Sequence, residues 1–304
     1  MPRPHKSPYE SLRDHLRSQT EWADIARQER PDVYNNLHHW TGLKLYALHY
    51  WIRVYSTILP DHLRLLGKEK MAYVDILAGS GLNYIQEAND YLPGSTIIAA
   101  RAPSKPFDWI LALENEPDRS LALKRRLAQV RFEDSFEVIP FDADWHADTI
   151  TTQLNELRAH YLAFVDYEGV HGFSWKSMVS LLQHTGDVFI TLLPGWARVA
   201  GRGLHADQES LARLVGPRLA DSARTEEELF SGYIEQIRHY RPNVVEIPIR
   251  SGRLYEYALL FAARQTAGRS PWMTAIDSLR ANLETLTGDH VIRALNEIRG
   301  RFSF

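Results

Sequence analysis

The chain has 304 residues, a formal net charge of −3 and no cysteine. The lack of cysteine excludes disulfides, thiolate metal sites and a cysteine nucleophile, and the small net charge gives no overall basic field that would attract nucleic acid. No apolar run reaches the roughly 18 residues that span a bilayer, and the polar N-terminal segment lacks the apolar core of a signal peptide, so we expect a cytoplasmic protein.

The N-terminal part is predicted to be helical. The segment before Pro31 is polar with a few apolar residues, which indicates a helix or a mobile arm. Within residues 36–66, apolar and aromatic residues recur at three- and four-residue spacing, which predicts an amphipathic helix interrupted at Pro60. We therefore expect an N-terminal helical extension over residues 1–66, followed by an α/β domain over residues 67–304.

Short apolar runs alternate with helical stretches in the first part of the α/β domain. The runs cover residues 71–77, 108–114, 135–144, 161–169 and 187–195. Continuous apolar runs separated by helices favour a mostly parallel sheet that is buried on both faces.

The last two runs are predicted to form an antiparallel hairpin. A helical insertion at about 203–240 precedes the run Asn243–Arg250, and only Ser251 and Gly252 separate that run from residues 253–264. A parallel crossover needs a dozen residues or more, so this link permits only a hairpin. Five parallel strands with a terminal antiparallel hairpin form the seven-stranded, Rossmann-like sheet typical of class I S-adenosylmethionine methyltransferases. A nicotinamide-binding Rossmann domain has no such hairpin.

Ligands of an open parallel sheet bind beyond the carboxyl ends of its strands. The first run contains Asp75 and is followed by a turn made of Ala78, Gly79, Ser80 and Gly81. Glycines let the backbone approach a ligand closely, and a helix that follows can present its amides to an anion. The turn is therefore a candidate cofactor site, with a plain tight turn as the alternative. Asp75 either braces the turn or contacts the cofactor.

Carboxylates end the second and third runs. Glu114 stands where an acidic residue can accept hydrogen bonds from ribose hydroxyls, with a surface glutamate as the alternative. Asp142 stands where a carboxylate can accept a hydrogen bond from an adenine amino group. The stretch 142–148 also has a metal-like composition, although helix capping explains Asp144 and Asp148 more simply.

The fourth run ends at Asp166, which Tyr167 and Glu168 follow. In methyltransferases of this fold, the position of Asp166 faces the methyl group and its acceptor, and Tyr167 can stack on an extruded base. Asp166 and Glu168 would share a face of a continued strand and can then hold magnesium. A turn with solvated acids is the alternative.

Two further groups are weaker candidates. Adjacent His38 and His39 point to different helix faces, so packing or solvent exposure explains them better than a shared metal. Arg198 and Arg202 lie four residues apart and can contact phosphate from one helix face, or belong to a solvated basic loop.

A series of motifs runs in order through residues 40–276. Trp40 and Lys44 match a helix of the form W-x-x-x-K, and the stretch "YVDILAGSG" follows. The stretches "GSTIIAA", "LENEP", "FDAD", "FSW" and "YALLFAARQTAGRSPW" come after it. With these motifs the chain resembles the three-Cys-motif partner proteins, which are methyltransferase-like proteins whose genes neighbour one for a radical-SAM-like protein with a three-cysteine motif. The family's Y-[IV]-D-x-F-A-G-x-G is similar to "YVDILAGSG", with Leu77 at the aromatic position.

The resemblance also covers the fourth strand end. "AFVDYEG" is similar to the family's F-[IV]-D-P-[YF]-G, with Tyr167 in place of the proline and Glu168 in place of the aromatic residue. The family's turn is similar to the Asp-Pro-Pro-aromatic loop of enzymes that methylate the adenine amino group. The extra carboxylate of Glu168 can serve as a general base, or repel a substrate that bears phosphate.

The resemblance implies a class I methyltransferase fold and S-adenosylmethionine as cofactor. Gly79, Ser80 and Gly81 would pass along its methionine part, Glu114 would hold the ribose, Asp142 the adenine and Asp166 the acceptor. The implied acceptor is a nucleobase in DNA or RNA, and the implied partner is a three-cysteine radical-SAM-like protein.

Two other functions stay open on the sequence alone. The chain is either a non-methylating member of the fold that acts as a binding or regulatory partner, or a magnesium-dependent phosphoryl-transfer enzyme or nuclease. The second of these would use Asp142, Asp166 and Glu168.

Overall fold

The computed structural model describes residues 6–140, 146–166, 173–192, 208–252, 256–264 and 270–301. The strands are β1 (Asn35–Leu37), β2 (Lys70–Ile76), β3 (Leu82–Ile85), β4 (Asp90–Pro93), β5 (Trp109–Leu113), β6 (Phe136–Ile139), β7 (Ala159–Val165), β8 (Gly186–Leu192), β9 (Asn243–Arg250) and β10 (Glu256–Ala263). The helices are α1 (Pro8–Ala26), α2 (Thr41–Ile58), α3 (Ser95–Arg101), α4 (Pro117–Ala128), α5 (His146–Glu156), α6 (Trp175–Gln183), α7 (Gln208–Val215), α8 (Pro217–Ser222), α9 (Glu226–Tyr240), α10 (Pro271–Glu284) and α11 (Gly288–Ile298).

Seven strands form the main sheet, in the order β6-β5-β2-β7-β8-β10-β9. The first five of these strands pair in parallel, and β10 pairs antiparallel with both β8 and β9. This order confirms the predicted α/β fold, with a mostly parallel seven-stranded sheet and a terminal antiparallel hairpin. The described part of β10 begins at Glu256, and residues 253–255 of the predicted run lie outside the described residues.

Apolar clusters cover both faces of the sheet, which explains the continuous apolar runs. Every residue of β7 and β8 is buried. One face packs against α2, α10 and α11, and the other packs against α6, α7 and α9. The Trp51 ring of α2 lies 4.5 Å from the Phe261 ring of β10, centroid to centroid. The N-terminal segment is therefore packed into the same core as the sheet, and the predicted boundary at residue 66 stays a prediction.

The helix predicted over residues 36–66 is shorter in the structure. Residues Asn35–Leu37 form a strand, α2 ends at Ile58, and Pro60 lies in a short 3-10 helix that follows it. The predicted helical insertion at about 203–240 forms α7, α8 and α9 within its described part, residues 208–240.

A hairpin stands where a helix was expected after the glycine turn. β3 and β4 pair antiparallel, and β1 adds in parallel to β3, so that the three form a second small sheet. The chain turns at Asn89, which has a left-handed backbone conformation that asparagine tolerates better than most residues (φ 45°). The helix α3 begins only after this hairpin, and Gly94 N–H donates to Gly81 O across 2.8 Å, which returns the chain to the turn.

No helix within the described ranges is long and apolar enough to cross a membrane. The cytoplasmic location stays a prediction.

Candidate functional site

A cavity of about 190 Å³ opens at the carboxyl ends of β2 and β7. Its wall includes Ala78 and Gly79 of the predicted turn, Asp166 after β7, and Ser95 at the start of α3. The N-terminal segment completes the wall with Asn35, Leu37, Trp40, Thr41, Lys44 and Leu45. The structure thus brings the turn and Asp166 together at one site, as the strand order predicts.

The turn after β2 is built on left-handed backbone conformations. Leu77, Gly79 and Gly81 have φ angles of 65°, 66° and 80°. Leucine in this conformation costs roughly 1–2 kcal/mol, and such strain clusters at functional sites. A Cβ on Gly79 would overlap with Asn35 Nδ2, so glycine is needed there for conformation and for space.

Replacing Gly79 with alanine is expected to lower the free energy of unfolding by about 2–4 kcal/mol, because it adds backbone strain and displaces Asn35 from its hydrogen bonds. Gly67→Ala is the matched control, since Gly67 has a φ of 67° and no atom within 4 Å of the place that an added Cβ would occupy. The control should lose only the strain energy of about 1–2 kcal/mol. Urea denaturation of the two variants measures both losses, and equal losses would contradict the steric argument.

Glu114 lies behind the turn, immediately after β5. It is 6% exposed, which excludes the surface alternative. Its Oε2 accepts a hydrogen bond from Gly79 N–H at 2.7 Å, and its Oε1 accepts one from Glu116 N–H at 2.9 Å. The carboxylate is therefore fixed against the turn, at the end of the strand next to β2.

Ser80 supports the turn from its buried side. The Ser80 hydroxyl donates to Leu82 O at 3.0 Å, its N–H donates to Asn35 Oδ1 at 3.3 Å, and its carbonyl accepts from Arg126 Nη1 at 2.6 Å. Neither Ser80 nor Gly81 belongs to the cavity wall. Ser80 therefore holds the turn in place without presenting its side chain to the cavity.

Asp75 is fully buried beneath the turn. Its Oδ2 accepts hydrogen bonds from the Thr96 hydroxyl at 2.6 Å and from the Tyr73 hydroxyl at 3.4 Å. Burial, with a smaller contribution from the charge of Asp166, raises the pKa of its carboxyl to about 7. These contacts join β2 to the start of α3, which favours the bracing role over a direct cofactor contact.

Asp166 forms an ion pair that the sequence did not reveal. Lys44 Nζ donates to Asp166 Oδ2, and Asp166 N–H donates to Ile76 O at 3.4 Å. The Lys44 side chain is 10% exposed and that of Asp166 is 26% exposed. The W-x-x-x-K pattern was the signal for Lys44, although it does not identify the partner.

Three more residues of the wall had no predicted role there. Trp40 and Tyr257 place aromatic rings on the cavity. Thr191 also lines this cavity, while its Oγ1 is buried with no hydrogen-bond partner in the described part of the chain. A wider cleft of about 820 Å³ lies between β9, β10, α9 and α10, and shares Tyr257 with the cavity.

The other predicted residues do not line this cavity within the described ranges. Tyr167, Glu168, Asp142, Asp144, Arg198 and Arg202 lie outside the described residues. His38 stacks on Trp40 with a ring-centroid distance of 4.4 Å, and His39 Nε2 lies 3.0 Å from Ser251 O. The prediction that they point to different helix faces is wrong, because both precede α2 and both rings lie against Glu87 Oε1. Within the described ranges, no three His, Asp or Glu side chains are grouped to hold a metal ion.

No protein-family model matches the chain. Among curated proteins, the ferredoxin–NADP reductase of Frankia casuarinae is 30% identical over 136 residues, which is 44% of this chain. The chain spans 37% of the length of that relative.

Several solved structures have a similar fold. The cofactor-bound Rv0187 from MTB is 12% identical, with 83% of this chain and 91% of that chain covered and a TM-score of 0.42. The O-methyltransferase TomG from Streptomyces achromogenes, in complex with SAM, is 13% identical (68% and 78% covered, TM-score 0.39). The N-terminal domain of human METTL16, in complex with SAH, is 14% identical (74% and 71% covered, TM-score 0.37). These likenesses assign no substrate and no residue role to this chain.

Proposed function

We propose that this protein binds S-adenosylmethionine at the carboxyl ends of β2 and β5 and transfers the methyl group to an acceptor beside Asp166. The observation that carries the proposal is the contact between Gly79 N–H and Glu114 Oε2, next to a cavity whose wall includes Asp166. In dinucleotide-binding folds, the backbone of a glycine turn after one strand lies close to the cofactor, and an acidic residue further along the chain accepts hydrogen bonds from its ribose hydroxyls.

The described donors and acceptors at the turn suit this cofactor. The backbone of Ala78 and Gly79 would lie along the methionine part, and the Glu114 carboxylate, whose two oxygens each accept one backbone N–H, would accept further hydrogen bonds from the ribose hydroxyls. By the sequence resemblance, Asp142, which lies outside the described residues, would accept from the adenine amino group. The cofactor supplies a methyl group on a positively charged sulfonium.

The acceptor is proposed to be a nucleobase amino group in DNA or RNA, on the strength of the sequence resemblance. Asp166 Oδ atoms would accept a hydrogen bond from that amino group and orient its nitrogen for attack. Trp40 and Tyr257 line the cavity, and aromatic side chains of this kind are the ones on which bases stack in nucleic-acid-binding proteins. Membership of the three-Cys-motif partner proteins, and a three-cysteine radical-SAM-like partner, belong to the same proposal.

Calorimetric titration with S-adenosylmethionine tests the cofactor. Glu114→Gln is expected to bind at least tenfold more weakly, because a charged hydrogen-bond acceptor contributes about 1.5–3 kcal/mol. Glu116→Gln is the matched control, since Glu116 touches Glu114 through its backbone N–H while its side chain pairs with Arg119 at 2.8 Å. The control should bind as the wild type does. Absence of wild-type binding at millimolar cofactor would refute the proposal.

A non-methylating, regulatory member of the fold is the second candidate. The cavity of about 190 Å³ is smaller than the roughly 300–1,000 Å³ of most ligand pockets. The wider cleft carries Glu226, Glu246 and Glu284 against Arg250 and Arg280, a balance that does not attract a nucleic-acid backbone. Incubation with labelled cofactor and mixed DNA and RNA separates the two functions. Transferred label supports the enzyme, and binding without transfer supports the regulatory protein.

A further inference from the structure

Lys44 is an almost completely buried lysine in the cavity wall. The residue is 8% exposed, and lysine is rarely buried unless it is paired. Its partner is Asp166, which lines the same cavity. The pair joins α2 of the N-terminal segment to the end of β7, across 122 residues of sequence. The ion pair is therefore part of the site itself.

Both partners are held by rigid elements. Most of α2 is buried. The thirteen buried residues are the continuous run Thr41–His49 with Trp51, Ile52, Tyr55 and Ser56. Asp166 follows β7 directly, and its N–H donates to Ile76 O of β2 at 3.4 Å. The pair therefore links a buried helix to the end of a buried strand.

The charges of the pair matter because the cavity is partly enclosed. Asp166 acts over a distance, since its charge contributes to the raised pKa of Asp75 beneath the glycine turn. Lys44 places a positive charge against Asp166 Oδ2 and leaves the pair with no net charge. A ligand in the cavity then experiences a neutral pair in place of a lone carboxylate.

We propose that Lys44 is a positioning residue of the site, which fixes the Asp166 carboxylate at the cavity wall and cancels its charge. The proposal rests on the proposed function, because it takes the ligand to be S-adenosylmethionine. The sulfonium of that cofactor is positively charged, whereas the sulfur of the product S-adenosylhomocysteine is neutral. If Lys44 lost its charge, the negative charge of Asp166 would favour binding of the positively charged cofactor over the neutral product. If Asp166 lost its charge, the positive charge of Lys44 would disfavour binding of the cofactor relative to the product.

Calorimetry of both ligands tests this without turnover. In Lys44→Met the ratio of cofactor affinity to product affinity should rise by about tenfold, and in Asp166→Asn it should fall by about tenfold. The double variant should return to within about threefold of the wild-type ratio, because both charges are then absent. Lys44→Arg keeps the charge and should keep the ratio. Lys105→Met is the control, since Lys105 pairs with Asp61 at 3.6 Å and both side chains are exposed.

The outcomes are distinguishable. Equal changes in both affinities would mean that the pair acts only on structure, and would overturn the role of Lys44 while the cofactor assignment stands. If the wild type binds neither ligand, the proposed function fails and the role of Lys44 fails with it. Circular dichroism checks the folding of each variant, and Lys44→Gln replaces Lys44→Met if the latter does not fold.

Discussion

Replacing Arg126 with methionine is expected to lower the free energy of unfolding by about 3–5 kcal/mol, because several buried carbonyls lose their donor, and to weaken ligand binding at the glycine turn. Arg126 is 1% exposed. Its guanidinium donates hydrogen bonds to the backbone carbonyls of Ala26, Glu29, Arg30, Val33 and Ser80. A buried carbonyl that loses its donor costs about 1–3 kcal/mol. Because Ser80 belongs to the turn, the substitution also frees the turn to move.

Arg241 provides a matched comparison at the opposite edge of the sheet. It is also 1% exposed and donates to Gly186 O at 3.2 Å and to Leu182 O, at the start of β8 and the end of α6. Arg241→Met should lose a similar free energy of unfolding, because it leaves a similar number of carbonyls unpaired. It should leave ligand affinity unchanged, since the hydrogen bonds of Arg241 lie at the start of β8 and not at the turn.

Urea denaturation of both variants measures the stability loss, and calorimetry at a temperature where both stay folded measures S-adenosylmethionine affinity. We expect at least a tenfold weaker affinity in Arg126→Met alone, as about 1.4 kcal/mol corresponds to tenfold. Equal affinities in the two variants would mean that the Arg126 bond to Ser80 does not position the turn.

The parts of the fold that leave a local pattern in the sequence can be predicted from it. Buried parallel strands have continuous apolar sequences, and the edges of β9 agree with the predicted run to the residue. The β3–β4 hairpin escaped prediction because its support is distant. β1 pairs Asn35 with Asn83, 48 residues further along the chain. Non-local pairing of short strands leaves almost no periodic signal in the sequence.

The site is predictable only where single strands end in characteristic residues. Gly79, Glu114 and Asp166 follow β2, β5 and β7, and the strand order alone brings their ends together. Lys44 reaches the site because α2 packs across one face of the sheet, through contacts such as that between Trp51 and Phe261. Asn35 reaches it because β1 pairs with β3. At Asp75 the sequence suggests a ligand contact that the structure does not favour. Its position at the end of β2 is typical of such a contact, but the residue is fully buried.

The free energy of unfolding is expected to fall as the pH rises from about 6.5 to about 8, and Asp187→Asn should remove most of this fall. Burial raises the pKa of Asp187 from 3.8 to about 8, although the Arg241 charge and a Trp272 hydrogen bond oppose the rise. Between these values the folded protein keeps a proton that the unfolded chain has lost. Stability therefore declines with rising pH, by up to about 1.4 kcal/mol per pH unit for each such group.

Asp75 adds to the decline up to its own pKa of about 7. Two buried histidines oppose it at lower pH, because burial lowers the pKa of His160 from 6.5 to about 3 and that of His49 to about 2. The unfolded chain protonates these histidines first, so their contribution to stability is lost as the pH falls below 6.5. Above pH 6.5 the two buried aspartates therefore dominate the change of the free energy of unfolding with pH. The range from pH 6.5 to pH 8 is where their effect can be measured.

Urea denaturation at half-unit steps from pH 6 to pH 9 measures the slope in the wild type, Asp187→Asn and Asp277→Asn. Asparagine has nearly the same shape as protonated aspartate and does not titrate, so the stability advantage of Asp187→Asn over the wild type should grow by about 1–3 kcal/mol between pH 6 and pH 8. Asp277 is exposed on α10, and its substitution should leave the slope unchanged. A wild-type curve that is flat between pH 6.5 and pH 8 would show that Asp187 is already ionised in the folded protein. The Arg241 charge would then outweigh the burial of the carboxyl.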